Sequence, residues 1–393
     1  MRTVFVERSP GRWINIAGLR CRRTDLWKAL DGHRLRYRRE PVRFVSDHPS
    51  WTLLATYVLG DGDLARNSQV RFYDNERATL EALRSMFSEK CGYSFPDPVY
   101  QENQYGRGEW VTQTRHSAIH FVLNQYFGVP IGRKKLTSTI SRRVISSQNP
   151  EVKFAALAGM FSSDGYVNSN RKNGRFGVKI GLLTTVSAKK ASATAKLVRQ
   201  LGFHCFVSVS TFQNPFTHNS TTSYNVVVSR RSEVVALFFR ILPYLLKPSR
   251  TEQWMKLLSD PDLYRRLVVR SVQAHLILRK AAMKIAGNTY RYLHVLVNLA
   301  AAHGIDVRSW SGAKHWTSGK SAVPLPVLVE CCNILGERVL NHVPPDFAAL
   351  LWLHRVVSYD DLIALRAVTP VLKLNEMAPG RPSSSRFLLE REG

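Results

Sequence analysis

The sequence predicts an α+β protein built as two similar halves followed by a mainly helical domain. Three observations carry that expectation. A short apolar helix ending in Asp-Gly occurs twice at a fixed spacing, the order helix, strands, helix, strands, helix occurs twice, and the alternating β signal fades after about residue 262. A chain of 393 residues is also too long for one ordinary core and is expected to divide into two or three.

In chain order, residues 1–46 read as a basic arm. Residues 1–45 hold twelve Lys and Arg against four acids, a surplus suited to backbone phosphates. Residues 47–146 form the first half, with an apolar helix from about residue 47, alternating stretches SQVRFYD (68–74) and EWVTQTR (109–115), and the amphipathic ERATLEALRSMFSEKCG (76–92) running into a glycine. Residues 147–262 repeat the plan, with GVKIGLL (177–183) and SYNVVVS (223–229) as half-buried strands and VSAKKASATAKLVRQLGF (186–203) as the helix. Residues 263–393 read as helical, broken by polar and proline stretches at 309–326 and 341–345, with a loose tail from PGRPSSSRFLLE onward.

Composition narrows the function. Hydrophobic residues at 44% and aromatics at 10% exclude a disordered chain, and no apolar run approaches the length of a bilayer span. The opening MRTVFVERSPGRWINIAG lacks the apolar core of a secretory signal, so a cytoplasmic, nucleoid-associated or organellar location is expected and secretion is not. Five scattered cysteines, Cys21, Cys91, Cys205, Cys331 and Cys332, show no C-x-x-C pairing and read as reduced thiols. The excess of 56 Lys and Arg over 29 Asp and Glu, a formal +27, points to a polyanion. The basic residues are spread along the chain rather than gathered in one amphipathic helix, which favours nucleic acid over a membrane surface.

The repeat pairs WTLLATYVLGDGDL (51–64) with FAALAGMFSSDGYV (154–167). An offset of 103 superposes Asp61 on Asp164, Thr52 on Ala155, Thr56 on Gly159 and Gly60 on Ser163. Small residues four apart line one helix face and allow a partner backbone to come close. If the two helices pack side by side in one direction, their ends bring Asp61 and Asp164 together, where paired carboxylates would bind divalent cations. Both starts are punctuated, with Asp47 or His48 ahead of Pro49 and Asn149 ahead of Pro150. Hard cations held by carboxylates can stabilise the leaving oxygen of a phosphodiester.

At these residues the chain resembles the LAGLIDADG homing endonucleases. LAGMFSSDGYV (157–167) is close to the family signature and LATYVLGDGDL (54–64) is a looser copy, while GVPIGRKKLTSTIS (128–141) is similar to a segment that double-motif members carry. The resemblance covers roughly 47–260. It implies two αββαββα half-domains around a pseudo-two-fold axis and a β-saddle lying in the DNA major groove. It also implies cleavage of both strands across the minor groove with short 3′ overhangs. On this resemblance Asp61 and Asp164 hold the metal, the backbone carbonyls of Gly60 and Ser163 lie beside it, and Lys135 and Lys247 assist the developing charge. The implied cofactor is Mg²⁺ or Mn²⁺, with Ca²⁺ as a non-cleaving substitute. The chain departs from the signature at Leu59 and Ser162, where an acidic residue is usual, and at Thr56, where glycine is usual. Asp63 reads as a solvated loop residue. The ends MRT and EREG lack the residues of a self-splicing element, so a free-standing enzyme is expected.

In the two β regions, polar side chains alternating with apolar ones form the expected reading surface: Arg66, Gln69, Arg71, Gln113 and Arg115, then Asn168, Arg175, Lys179 and Asn225. Residues 273–304 read as helix, Gly-Asn turn, helix, and resemble a helix-turn-helix. The stretch 306–321 is similar to a Trp-Gly-Lys segment of modules associated with homing endonucleases. Asn288, Tyr290, Arg291, Lys314 and Lys320 are the expected contacts there. The expected partner is double-stranded DNA with a long recognition site, bound by a monomer because both motifs lie in one chain. Two alternatives remain open: a non-catalytic LAGLIDADG/helix-turn-helix regulator and an RNA maturase.

Overall fold

The computed structural model describes residues 4–16, 25–36, 41–102, 108–132, 138–172, 175–213, 220–270, 272–287, 291–305, 307 and 310–364. It is an α+β fold with antiparallel sheets. The first segment, expected as an arm, contains β1 (Phe5–Ser9), β2 (Arg12–Asn15), α1 (Leu26–Leu30), β3 (Arg34–Arg36) and β4 (Val42–Arg43). Its strands form one sheet in the order β2-β1-β3-β4. Val6, Leu35 and Val42 are fully buried, so β1, β3 and β4 each turn one side chain into a core even though the segment is rich in arginine. Rings anchor this segment to the first half: Trp27 lies 5.6 Å from Phe44 and 4.9 Å from Tyr126, and Phe44 lies 5.8 Å from Trp51.

The first half runs α2 (Pro49–Asp61), β5 (Gly62–Leu64), β6 (Val70–Asp74), α3 (Arg77–Cys91), β7 (Val99–Glu102), β8 (Gly108–Thr114) and α4 (Ser117–Phe121). After α5 (Arg142–Ser146), the second runs α6 (Pro150–Asp164), β9 (Tyr166–Lys172), β10 (Arg175–Thr185), α7 (Ala188–Gln200), β11 (Phe206–Gln213), β12 (Ser220–Val228) and α8 (Arg231–Ile241). Each half is therefore αββαββα. The sheets share one strand order, β5-β6-β8-β7 and β9-β10-β12-β11, the same path read twice. The amphipathic helices end where the glycines predict, with Gly92 closing α3 in the left-handed conformation at φ 68°.

α2 and α6 differ from the other helices in being apolar on every side. Every residue from Ser50 to Leu59 is buried, and so is every residue from Phe154 to Ser163. Their starts are capped as the sequence suggests. Asn149 Oδ1 accepts from Glu151 N–H at 3.0 Å, and His48 Nδ1, rather than Asp47, accepts from Ser50 N–H at 3.2 Å. That cap needs an unprotonated Nδ1. Burial, Lys90 and Arg43 all hold the His48 pKa below its usual value. The unfolded chain thus binds this proton more readily than the folded one, so stability falls as pH drops from about 7 through the unfolded pKa of about 6.5 and below it. Melting curves from pH 8 to 5 are expected to show this slope in the wild type and a shallower one in His48→Asn, which keeps a cap but does not titrate. Equal slopes would remove His48 from the account.

The chain divides into two compact units. One comprises residues 1–168, 179–228 and 244–251, the other 169–178, 229–243 and 252–393. This partition differs from a boundary at 262/263, because α8 and the residues after 252 associate with the C-terminal helices. Phe238 meets Trp254 at 4.9 Å, and Arg240 pairs with Asp346 at 2.8 Å. The second unit continues from residue 252 within α9 (Pro248–Leu258) through α10 (Pro261–Arg265), β13 (Val268–Val269), α11 (Val272–Ala286), α12 (Tyr292–Ala302) and α13 (Trp310–Thr317). It ends with β14 (Val323–Pro324), α14 (Leu325–Leu335), α15 (Ala348–Leu353) and α16 (Tyr359–Ala364). Among the described residues no helix is long and apolar enough to cross a membrane. Cys91, Cys331 and Cys332 are buried free thiols, each pushed by burial to a pKa of about 12.

Candidate active site

The small-residue stripes of α2 and α6 face each other. A methyl group added to Gly159 would lie 2.3 Å from Thr56 Oγ1, 2.8 Å from the Leu53 carbonyl oxygen and 3.1 Å from the Tyr57 amide nitrogen. Nearer the helix ends, a methyl on Gly60 would lie 2.0 Å from Ser163 Oγ and 3.1 Å from Asp164 Oδ2. The two backbones thus approach closely at Gly159, and beside Asp61 the backbone of Gly60 lies against the Ser163 and Asp164 side chains. The hydroxyls buried in the seam are satisfied within their own helices. Thr56 Oγ1 donates to Thr52 O at 2.9 Å, and Ser163 Oγ donates to Met160 O at 3.1 Å, so neither demands a partner across the interface.

Two C-terminal helix ends converge here, each carrying partial negative charge on its last carbonyls, beside two aspartates that remain partly open to solvent. The donors are all hard oxygens, the class that Mg²⁺-type ions prefer. Among the described residues no group of three or more His, Cys, Asp or Glu side chains surrounds the place, so a cation there would complete its shell with backbone carbonyls, water or phosphate oxygens. Leu59 and Ser162, the departures from the signature, are both buried, and Ser162 Oγ accepts the Leu246 amide at 3.2 Å. A serine there ties the segment before α9 to α6 without adding a charge.

The cation already at this place is one the sequence reading missed. Lys190 on α7 is only 3% exposed, and its Nζ donates to the Leu59 carbonyl at 3.0 Å and to Asp164 Oδ2 at 3.2 Å. It therefore touches the ends of both central helices. Lys247, expected to assist catalysis, is also buried, but it is held at the start of α3. Its Nζ donates to Asp74 Oδ1 at 2.9 Å and Asn75 Oδ1 at 2.8 Å. Tyr57 donates to the other Asp74 oxygen at 2.7 Å, and burial, Asp74 and Asp61 push its phenol well above the usual range. Lys135 lies outside the described residues.

Among the expected reading residues, Arg71 and Gln113 lie side by side with Asp63 across β5, β6 and β8. Asp63 is not a solvated loop residue: it sits in β5, paired with Arg71 at 2.8 Å, and accepts from Tyr73 Oη at 3.0 Å. Hydrogen bonding to Asp63 raises the Arg71 pKa, and Gln69 donates to Gln113 at 2.6 Å, so this row is an ordered polar strip. Arg66, Gln113 and Arg115 are exposed, as are Asn168 and Lys179. Asn225 is half-buried and accepts from Thr184 Oγ1 at 2.7 Å. The side chain of Arg175 lies outside the described residues, as do Asn288 and Tyr290. Arg291 is exposed at the start of α12, Lys314 is exposed on α13, and Lys320 is exposed just beyond it.

Comparison with known proteins bears on the second half. Among solved structures, the chain is similar to one titled the homing endonuclease I-WcaI bound to its DNA recognition sequence. The identity is 16% and the TM-score 0.36, over 54% of this chain and 88% of that one. No curated protein sequence matches the chain. The model of the LAGLIDADG-like domain family matches residues 151–241, the stretch from α6 to α8 that contains Asp164 and Lys190. Residues 151–241 of the chain are therefore similar to a LAGLIDADG-like domain.

Proposed function

We propose that the protein is a site-specific double-strand DNA endonuclease of the homing type. The observation that carries this reading is the close approach of Gly60, the residue before Asp61 at the end of α2, to Ser163 and Asp164 at the end of α6. Asp61 and Asp164, with the carbonyls of Gly60 and Ser163, would hold divalent cations. Such ions, when bound, neutralise the charge that develops on the phosphate and the leaving oxygen. The protein's own part is to fix the carboxylates at the ends of two rigid buried helices and to present the sheets to the duplex. The overall charge of +27 draws the polyanion in. Lys190 is placed to hold the Asp164 carboxylate in position.

The defining experiment is incubation of the protein with a randomised duplex library and Mg²⁺, with the products sequenced. Cutting at one long site with short 3′ overhangs supports the reading. Specific binding with no metal-dependent cutting overturns it.

One observation favours a second reading. The Lys190 ammonium occupies a cation's position at Asp164, as expected if a non-catalytic DNA-binding regulator had exchanged its metal for a lysine. Lys190→Met separates the two. In an endonuclease it should lower cleavage about 10–100-fold, the cost of losing a partner behind a metal ligand. Stability should fall by only about 1–2 kcal/mol, less than the ~3–5 of a wholly buried pair, because Asp164 keeps contact with water. In a regulator the same change should leave DNA affinity intact and create Mn²⁺ binding that calorimetry finds absent in the wild type.

A further inference from the structure

The C-terminal unit contains a cavity of about 380 Å³ lined by Arg231, Asp262, Arg265 and Arg266 and, on its apolar side, by Leu267, Val268 and Ile305. From its chemistry we infer that it is a binding site for a phosphoryl group. Three arginines line it with one aspartate, and that carboxylate is already engaged: Asp262 lies 3.2 Å from Arg171 and 3.7 Å from Arg265. Arg231 opens α8 and is fixed in place by donating Nη2 to the Phe176 carbonyl at 2.6 Å. Its Nε is buried and makes no hydrogen bond among the described residues.

A buried N–H on a permanently charged group costs free energy until an acceptor arrives. Nearby, Arg266 adds a like charge, which an anion would relieve. Guanidinium groups suit phosphate oxygens because their N–H pairs match the spacing of two oxygens on one phosphorus. The cavity falls in the size range of small-ligand pockets, so it admits either a phosphate of a nucleic-acid backbone or the phosphate of a free nucleotide.

Two measurements test the inference, and neither depends on cleavage. The first follows the melting temperature of the full chain while inorganic phosphate or pyrophosphate replaces chloride at constant ionic strength. The second measures the salt dependence of binding to a non-specific duplex. Arg231→Gln removes the central donor, and because it also frees the Phe176 carbonyl, Arg266→Gln and Arg265→Gln are made alongside it and checked for an unchanged far-UV spectrum.

A free-phosphate site predicts a saturable rise in the wild type and an apparent affinity about 10-fold or more weaker in Arg231→Gln and Arg266→Gln, with an unchanged salt slope. A backbone-phosphate site predicts a salt slope about 0.9 shallower per lost contact in the variants, without a saturable phosphate effect. No specific phosphate stabilisation together with unchanged slopes in all three variants overturns the inference.

Discussion

Asp61→Asn and Asp164→Asn, made separately, are each expected to lower metal-dependent cleavage by more than about 100-fold, beyond the 10–100-fold of a lost outer partner. DNA affinity without metal should remain within about threefold, because sequence-independent affinity comes from Lys and Arg neutralising phosphates and neither residue is basic. The physical reason is charge. Each substitution keeps the shape of the side chain but removes one of two carboxylates, and no third carboxylate among the described residues can replace it. Asp164→Asn should also release Lys190 from its ion pair, so the two variants should differ in stability even where they agree in activity. Cleavage retained in either variant would move the reaction to another part of the molecule.

The second large effect is mechanical. Gly159→Ala replaces a poor helix former by the best one, a gain of about 1 kcal/mol in an open helix. Here the added methyl would meet Thr56 Oγ1 at 2.3 Å and the Leu53 carbonyl oxygen at 2.8 Å, and overpacking of this kind typically costs ~1–3 kcal/mol. The Thr56 side chain can be removed, but the Leu53 carbonyl belongs to the helix itself and cannot yield without displacing α2. Urea melts are expected to show net destabilisation of about 2 kcal/mol for Gly159→Ala, partly recovered in Thr56→Ala/Gly159→Ala. A variant as stable as the wild type would mean that the backbones do not approach this closely.

The parts of the structure that were legible in the sequence are those governed by local rules. The asparagine before α6 and the proline that begins it, the scarcity of charge in α2 and α6, and the glycine after α3 each act within a few residues, so they can be read along the chain. The stripe Thr52, Thr56, Gly60 against Ala155, Gly159, Ser163 was readable because helix packing repeats at a fixed interval. Two features were hidden. The first 45 residues were dominated by arginine, and strands of two to five residues are too short for alternation to stand out, so a sheet with Val6, Leu35 and Val42 at its core looked like an arm. Lys190 was hidden in AKKASATAK, which resembles a solvated basic face. A signal existed: it shares the helix face of Ala191, Thr194 and Val198, all buried, whereas Lys189 does not. Lys247 presents the same difficulty, since a buried lysine can be assigned a partner only once the chain is folded.

The placement of Lys190 also has a kinetic consequence. It is the third residue after the cap of α7, Ser187, and the residue in the corresponding place after Glu76 in α3 is Thr79, fully buried and with no hydrogen bond from its hydroxyl among the described residues. One half thus brings an ammonium to the helix ends, while the corresponding position of the other half carries a neutral hydroxyl. The two strands of a bound duplex would meet unequal machinery, and one phosphodiester should break first. On a supercoiled plasmid carrying the site, a nicked circle should build up before linear DNA, with the same strand opened in every molecule.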